Sequence, residues 1–302
     1  MPFAFACLAL SMLLVGGNIA IGKLILAEVP IYLFAALRFL IASLVLLPGM
    51  FLRDARRGLD RRACGGLFLQ AFFGCFLFSL CMLHGVLLTS ATSAGIITSA
   101  TPSVIALLAW LWLRERISAA QLLAIVLAVS GIAALNLLER PETGSGSVAG
   151  NLLVLGAVLA EALFAVFSRR LSLSVRPWAM AFGVNLAGLL LFLPLAVPQA
   201  LAFDWRLPSA ATWVWLLFYA LSASVLSFLL WYRGISQVPA NVAGLFTGLM
   251  PVSSALVGVL LLGEHFSVGH ALGMLLVLAA LGLGTRRAEL PPVAAARTGT
   301  AK

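Results

Sequence analysis

Ten stretches of roughly 20 residues each, at 3–26, 31–52, 63–87, 91–113, 119–138, 148–168, 177–200, 211–232, 240–262 and 267–285, are almost continuously apolar, with the charged residues collected between them. This succession constrains the fold more than any motif, because a helix that crosses a bilayer needs about 20 consecutive apolar residues. The strands of a membrane barrel are about 9–11 residues long and alternate in polarity, and these runs do neither. Backbone groups in hydrocarbon must be satisfied within their own segment, so the expected fold is all-α, a polytopic membrane protein of ten transmembrane helices. Composition excludes the soluble alternative: 63% of the chain is hydrophobic and 10% charged, against about 45–50% and 25% in soluble domains. The first run has no basic residue before it and outlasts the apolar core of a signal peptide, so it is expected to be an uncleaved first helix.

The net charge of +9 would signal nucleic acid only as a stripe on a water-facing surface. Here it follows the loops. If the N-terminus is cytoplasmic, one side of the membrane receives Arg53, Arg56, Arg57, Arg61, Arg62, Arg114, Arg116, Arg169, Arg170, Arg176, Arg233, Arg286, Arg287, Arg297 and Lys302, fifteen of the 19 basic residues. The opposite loops hold only Arg140 and Arg206, while Lys23 and Arg38 fall within helices. Positive residues accumulate in cytoplasmic loops, so both termini are expected inside the cell (inner) membrane, and no nucleic-acid partner is expected. The cysteines Cys7, Cys64, Cys75 and Cys81 form no Cys-x-x-Cys pair and read as small core residues.

The polar segment Glu139 to Ser147 divides the runs five and five. The expected organisation is a first repeat over 1–140, an outer linker over 141–147, a second repeat over 148–287 and a disordered cytoplasmic tail over 288–302. A shift of 149 positions brings Gly85 onto Gly234, Ala91 onto Ala240, Gly95 onto Gly244, Thr98 onto Thr247, Pro102 onto Pro251, Ala106 onto Ala255, Glu115 onto Glu264 and Ser118 onto Ser267. That register indicates an internal duplication. Five crossings per half, an odd number, would make the halves inverted repeats, the arrangement that gives secondary transporters two conformations open to opposite sides.

The Leu37-Arg38-Phe39 element, the two prolines each followed thirteen residues later by glutamate (Pro102 to Glu115, Pro251 to Glu264) and the Ser168-Arg169-Arg170 end of the sixth run resemble the EamA branch of the drug/metabolite transporters. The resemblance covers nearly the whole chain. It implies ten helices in two inverted halves and export of small metabolites, with amino-acid exporters among the most similar members. The expected partners are therefore a small-molecule substrate, such as an amino acid, and membrane lipid. The oligomeric state stays open, a monomer being sufficient.

An ionisable group in mid-membrane costs roughly 2.5–3.5 kcal/mol on insertion scales and marks a functional candidate. Glu161, alone in the sixth run, would exchange a proton during transport or lock helix packing. Arg38 would receive a substrate carboxylate or, the preferred reading, hold Glu161 or a backbone carbonyl. Lys23 lies near a helix end, where snorkelling to the interface accounts for it. His84 corresponds to Arg233 under the shift, so the two would line the alternating mouths or simply face the surface. Asn18, Thr98, Ser168, Asn185, Tyr232 and Thr247 complete the candidate substrate-binding set. Tyr232 and Trp231, with Phe68, Phe72 and Phe76, would form an apolar cavity or ordinary core. Pro102 and Pro251 free the carbonyls of Thr98 and Thr247, which makes them the expected hinges. Glu115 and Glu264, each followed by a serine N-cap (Ser118, Ser267), read as turn residues.

No Walker-type loop and no metal-ligand spacing occurs in the sequence, so neither cofactor nor metal is expected, and the chain reads as a transporter and not an enzyme. The alternatives are proton-coupled efflux of cationic drugs, with Glu161 as the cation site, and, further off, a membrane enzyme acting on a lipid carrier.

Overall fold

The computed structural model describes residues 1–51, 58–88, 97–137, 147–262 and 268–286. The 141–146 part of the expected linker, the 288–302 tail, Glu264 and Ser267 lie outside the described residues. Every regular element among the described residues is helical. They run α1 (Pro2–Leu26), α2 (Ile31–Leu46), α3 (Arg61–Ala71), α4 (Phe78–Leu88), α5 (Thr101–Leu113), α6 (Ala119–Leu137), α7 (Val148–Leu171), α8 (Pro177–Ala202), α9 (Ala210–Tyr219), α10 (Ser227–Ile235), α11 (Ala240–Leu245), α12 (Leu249–Leu262) and α13 (Val268–Arg286).

Among the described residues seven helical stretches are long and apolar enough to cross a membrane: Pro2–Leu26, Ile31–Phe51, Arg61–Gly85, Val148–Leu171, Pro177–Ala202, Ala210–Ile235 and Ala240–Leu260. Shorter apolar helices lie at Thr101–Leu113, Ala119–Gly131 and Ala271–Thr285. Helix starts follow local chemistry. Asp60, Ser147 and Ser209 accept the N–H of Ala63, Gly150 and Thr212, satisfying donors that a first turn leaves open. Pro2, Pro102 and Pro177 sit in first turns, where a missing N–H costs nothing. Pro48 ends α2 short of the predicted residue 52 and leaves a 3₁₀ turn over Pro48–Phe51.

The repeat is visible in the backbone. Two π-helical turns, Phe72–Leu77 between α3 and α4 and Ala220–Leu226 between α9 and α10, fall at corresponding positions. The Phe78 N–H bonds to the Phe73 carbonyl and the Ser227 N–H to the Ser222 carbonyl, so the same five-residue bond recurs after the 149-residue shift. The helix of the second half that contains Pro251 is broken by a 3₁₀ turn, Phe246–Gly248, just before the proline, and its counterpart is interrupted at Ala100, just before α5. Packing is exchange-symmetric as well: α1 lies against α10 and α12, and α7 lies against α4 and α5, their counterparts. α2 pairs with α8 and α6 with α13, each with its own counterpart.

Close approach depends on small residues. A Cβ on Gly16 would sit 2.2 Å from the carbonyl oxygen of Met250, so α1 and α12 meet backbone to backbone. The main core joins α1, α2, α3, α7, α8 and α10, with Phe39, Phe192 and Tyr232 among its largest fully buried side chains. Of the four free cysteines, Cys7 and Cys75 are buried as expected, but Cys64 is exposed on the first turns of α3.

Candidate functional site

A cavity of about 310 Å³ lies between the halves, at the small end of the roughly 300–1,000 Å³ typical of ligand sites. Both halves build it, and both π-helical turns reach it: Gly74 and Cys75 from one, Ala223 from the other. Five pairs of lining residues are counterparts under the shift: Met12 with Glu161, Val15 with Phe164, Gly74 with Ala223, Phe78 with Ser227, and Ser79 with Phe228. Gly74 is small of necessity, since a Cβ there would fall 2.3 Å from the Phe164 ring.

Arg38 and Glu161, the two ionisable groups singled out at mid-helix, line this one cavity. Arg38 reaches it from α2. Its guanidinium stacks 4.1 Å from the Phe39 ring centroid and 5.6 Å from that of Tyr219, and it donates to Ser224 Oγ at 3.4 Å. Glu161 enters from α7 and faces Thr101, with Oε2 3.4 Å from Thr101 Oγ1. The single hydroxyl proton of Thr101 is better used at 2.8 Å, on the carbonyl of Thr98. A carboxylate would compete for that proton, whereas a carboxylic acid would donate to the open lone pair of Thr101. Thr98 therefore stands behind the site, its carbonyl satisfied by Thr101. Of the remaining candidates only Thr247 lines the cavity, with its hydroxyl turned to the Gly244 carbonyl at 2.7 Å.

Asn18 and Asn185 are buried behind the second π-helical turn. Asn18 Nδ2 donates to Ser222 Oγ at 2.9 Å, and Asn185 Nδ2 donates to the Ser224 carbonyl at 2.8 Å. Ser168 and Tyr232 join a separate buried set, in which Gln70 Nε2 donates to Ser168 Oγ and Tyr232 Oη donates to Gln70 Oε1 at 3.3 Å. Lys23 is exposed in the last turn of α1. His84 is exposed with Nδ1 2.9 Å from the Leu80 carbonyl, and Arg233, also exposed, lies over Phe3. None of Lys23, His84 and Arg233 reaches the cavity. Of the aromatic set, Trp231 lines it, Tyr232 is wholly buried beside it, Phe72 and Phe76 pack on each other, and Phe68 faces elsewhere.

Several contributors escaped the sequence reading. Ser11 and Ser227 both line the cavity and join α1 to α10 through a hydroxyl pair at 3.0 Å. Tyr219, Ser222 and Ser224 carry the polar contacts of the second π-helical turn, and the 149-residue shift that places this turn opposite Phe72–Leu77 was the signal available. The indole N–H of Trp231 is buried without an acceptor among the described residues. Arg169 belongs to the basic end expected of the sixth run beyond residue 168, yet α7 runs on to Leu171 and Arg169 is 5% exposed. Its guanidinium donates to the carbonyls of Ile235 at 2.9 Å and Ser236 at 2.8 Å, the end of α10 whose acceptors a terminating helix leaves open.

Two segments, residues 2–137 and 148–285, each match the EamA-like transporter family. The chain belongs to the EamA-like transporter family. It is 40% identical over 283 residues, covering 91% of this chain and 84% of the relative, to the uncharacterized transporter YetK of Bacillus subtilis. The uncharacterized transporter YyaM of the same organism is 27% identical, with 81% of each chain covered. A solved crystal structure shares the fold over 93% of this chain and 96% of that one, with a TM-score of 0.77 at 20% identity. As an EamA-like chain with several apolar helices of crossing length, it is a multi-pass membrane protein.

Proposed function

We propose that this EamA-like protein is a secondary transporter that exports amino acids across the cell (inner) membrane by alternating access. The observation that carries the reading is the placement of Arg38 and Glu161 in one small cavity between the halves. A guanidinium and a carboxyl group on apolar and aromatic walls complement a zwitterion: the substrate carboxylate at Arg38, its ammonium at Glu161, and an apolar side chain against Phe164, Phe228 and Trp231. Arg38 is the better carboxylate partner because a guanidinium offers paired donors, and among the described residues its side-chain bond is a long one, to Ser224 Oγ at 3.4 Å.

Ten crossings in two inverted halves, with both termini cytoplasmic, complete this reading. The exchange-symmetric packing and the paired π-helical turns support it, as do the fifteen basic residues gathered on one side. In such proteins the site sits at the repeat interface and the halves rock about it. The interruptions before Pro102 and Pro251 serve as the flexible points. The contact with Thr101 supports a proton carried on Glu161.

Purified protein in sealed liposomes tests the proposal through counterflow of labelled apolar amino acids, with and without a pH gradient. Saturable counterflow that Arg38→Gln abolishes is expected. Absence of counterflow for every amino acid would overturn the substrate assignment, and uptake indifferent to the gradient would remove proton coupling. A second reading, efflux of organic cations, draws on Glu161 facing the cavity with one long contact. It requires Glu161→Gln to abolish cation export while Arg38→Gln spares it.

A further inference from the structure

A second, larger recess of about 950 Å³ lies away from the central cavity, where the start of α3 meets the end of α7. Its walls are apolar: Phe68 and Leu69 of α3, 48% and 41% exposed, face Phe167 and Leu171 of α7. Its rim is basic. Arg62, in the first turn of α3, and Arg170, next to last in α7, both line it and are exposed. Neither guanidinium has a hydrogen-bond or ion-pair partner among the described residues. The one acidic residue of the lining, Asp60, is turned to its own helix, accepting the Ala63 N–H at 2.6 Å.

The floor is open by sequence. At Gly65 an added Cβ would meet nothing within 4 Å, while at Gly66 it would meet Leu171 at 2.8 Å. The helices therefore touch at Gly66 and part at Gly65. From the recess an aromatic track leads on: Phe167 stacks on Phe73 with centroids 6.1 Å apart and 8° between planes, and meets Trp112 edge-on at 6.3 Å.

We infer that this recess is a binding site for one anionic glycerophospholipid. Its phosphate would lie between Arg62 and Arg170, with an acyl chain along Phe68, Phe167 and the aromatic track. Charge chooses the occupant. An uncharged apolar partner would leave two desolvated guanidiniums without anions, and a free phosphate would leave the apolar walls in water. A lipid with a net negative headgroup satisfies both at the end of a membrane-crossing helix pair, where basic pockets between helices hold such headgroups. The site stands apart from Arg38 and Glu161, so it is independent of what the transporter carries.

The test is native mass spectrometry and thermal unfolding of the detergent-purified full chain, titrated with phosphatidylglycerol, phosphatidylcholine or inorganic phosphate. One phosphatidylglycerol is expected to remain bound and raise the unfolding temperature, while phosphatidylcholine and phosphate do neither. The R62Q/R170Q variant should bind about thirtyfold more weakly, each basic residue near a headgroup being worth about a factor of five. Gly65→Leu, which adds bulk at a position where a Cβ meets nothing within 4 Å, should exclude the lipid with the basic rim intact, and Arg206→Gln, in a distant loop, should leave binding unchanged. Equal retention of phosphatidylcholine, equal binding by wild type and the double variant, or undiminished binding by Gly65→Leu would overturn the assignment. Stabilisation by inorganic phosphate alone would reduce it to a surface anion site and overturn it likewise.

Discussion

Glu115, just beyond the end of α5, accepts the backbone N–H groups of Ala240 at 2.8 Å and Asn241 at 3.0 Å, so a carboxyl group of the first half caps the start of α11 in the second. The serine role predicted beside it is present too: Ser118 Oγ accepts from the Gln121 N–H, and Gln121 Oε1 from the Ser118 N–H, a reciprocal box. Glu115 is thus more than a turn residue, because it ties the two halves together.

Replacing Glu115 with Ala should cost about 1–2 kcal/mol, the usual loss of a helix cap, seen as a lower unfolding temperature in detergent. Burial pushes the Glu115 carboxyl above its ordinary range, against the opposing pull of the Ala240 and Asn241 N–H groups. A raised folded-state pKa favours the folded protein most below the unfolded value of about 4.3, and the advantage is lost as pH rises through the raised value. The stability of wild type relative to Glu115→Gln should therefore fall as pH rises from about 4.3. A pH-independent difference would contradict this.

Arg169 makes the opposite kind of tie, a buried cation on two carbonyls of α10. Arg169→Met should destabilise by about 2–4 kcal/mol, since bonds to a charged group are worth about 1.5–3 kcal/mol each and the unbranched apolar Met side chain recovers part of the packing. Arg169→Lys should fall between, because an ammonium cannot reproduce the planar fork. Chemical unfolding of the three proteins in one detergent ranks them, and a Lys variant as weak as Met would show that charge contributes nothing.

Two glycine-to-alanine changes should have opposite signs. Gly16→Ala drives a methyl into the Met250 backbone, where nothing flexible can yield, and should lower folded yield severely. Gly65→Ala enters open space and should stabilise by about 0.5–1 kcal/mol through helix propensity. Fluorescence-detected size exclusion of the two variants at matched expression checks the contrast.

Glu28, between α1 and α2, accepts from the Ser209 N–H at 2.7 Å and the Thr212 hydroxyl at 2.7 Å. Those bonds, the Ser209 N–H foremost, hold its carboxyl below the ordinary range. Its contribution is present above the unfolded pKa of about 4.3 and lost as pH falls through the lowered value. Thermal unfolding between about pH 3 and 6 should therefore show an acid-side loss that Glu28→Gln lacks, small because the residue is exposed.

Most helices were legible because hydrocarbon leaves the backbone little choice, and a run of apolar residues says so without any help from packing. Arg38 and Glu161 stood out on the same ground, being costly where they are. Ser11, Ser222, Ser224 and Ser227 did not, since a lone hydroxyl in a membrane helix can bond to its own preceding turn, as Ser222 does to the Phe218 carbonyl. Only the tertiary fold shows which hydroxyls also reach another helix. The two adjacent arginines mark the basic end of the sixth run, but no periodicity reveals that Arg169 finds the carbonyl ends of a neighbouring helix. Lys23 stands out by its charge and His84 by its correspondence with Arg233, and both are exposed, where charge is cheap.

The paired π-helical turns also bear on how the halves compare. A π-helical turn lengthens the hydrogen-bond step from four residues to five, and it does so at Phe78 and at Ser227, 149 residues apart. Each half therefore leaves regular helical register at the same place. The two halves share one backbone irregularity and clothe it differently: Gln70, just before the first turn, bonds to Ser168 and Tyr232, while its counterpart Tyr219 lies 5.6 Å from the Arg38 guanidinium.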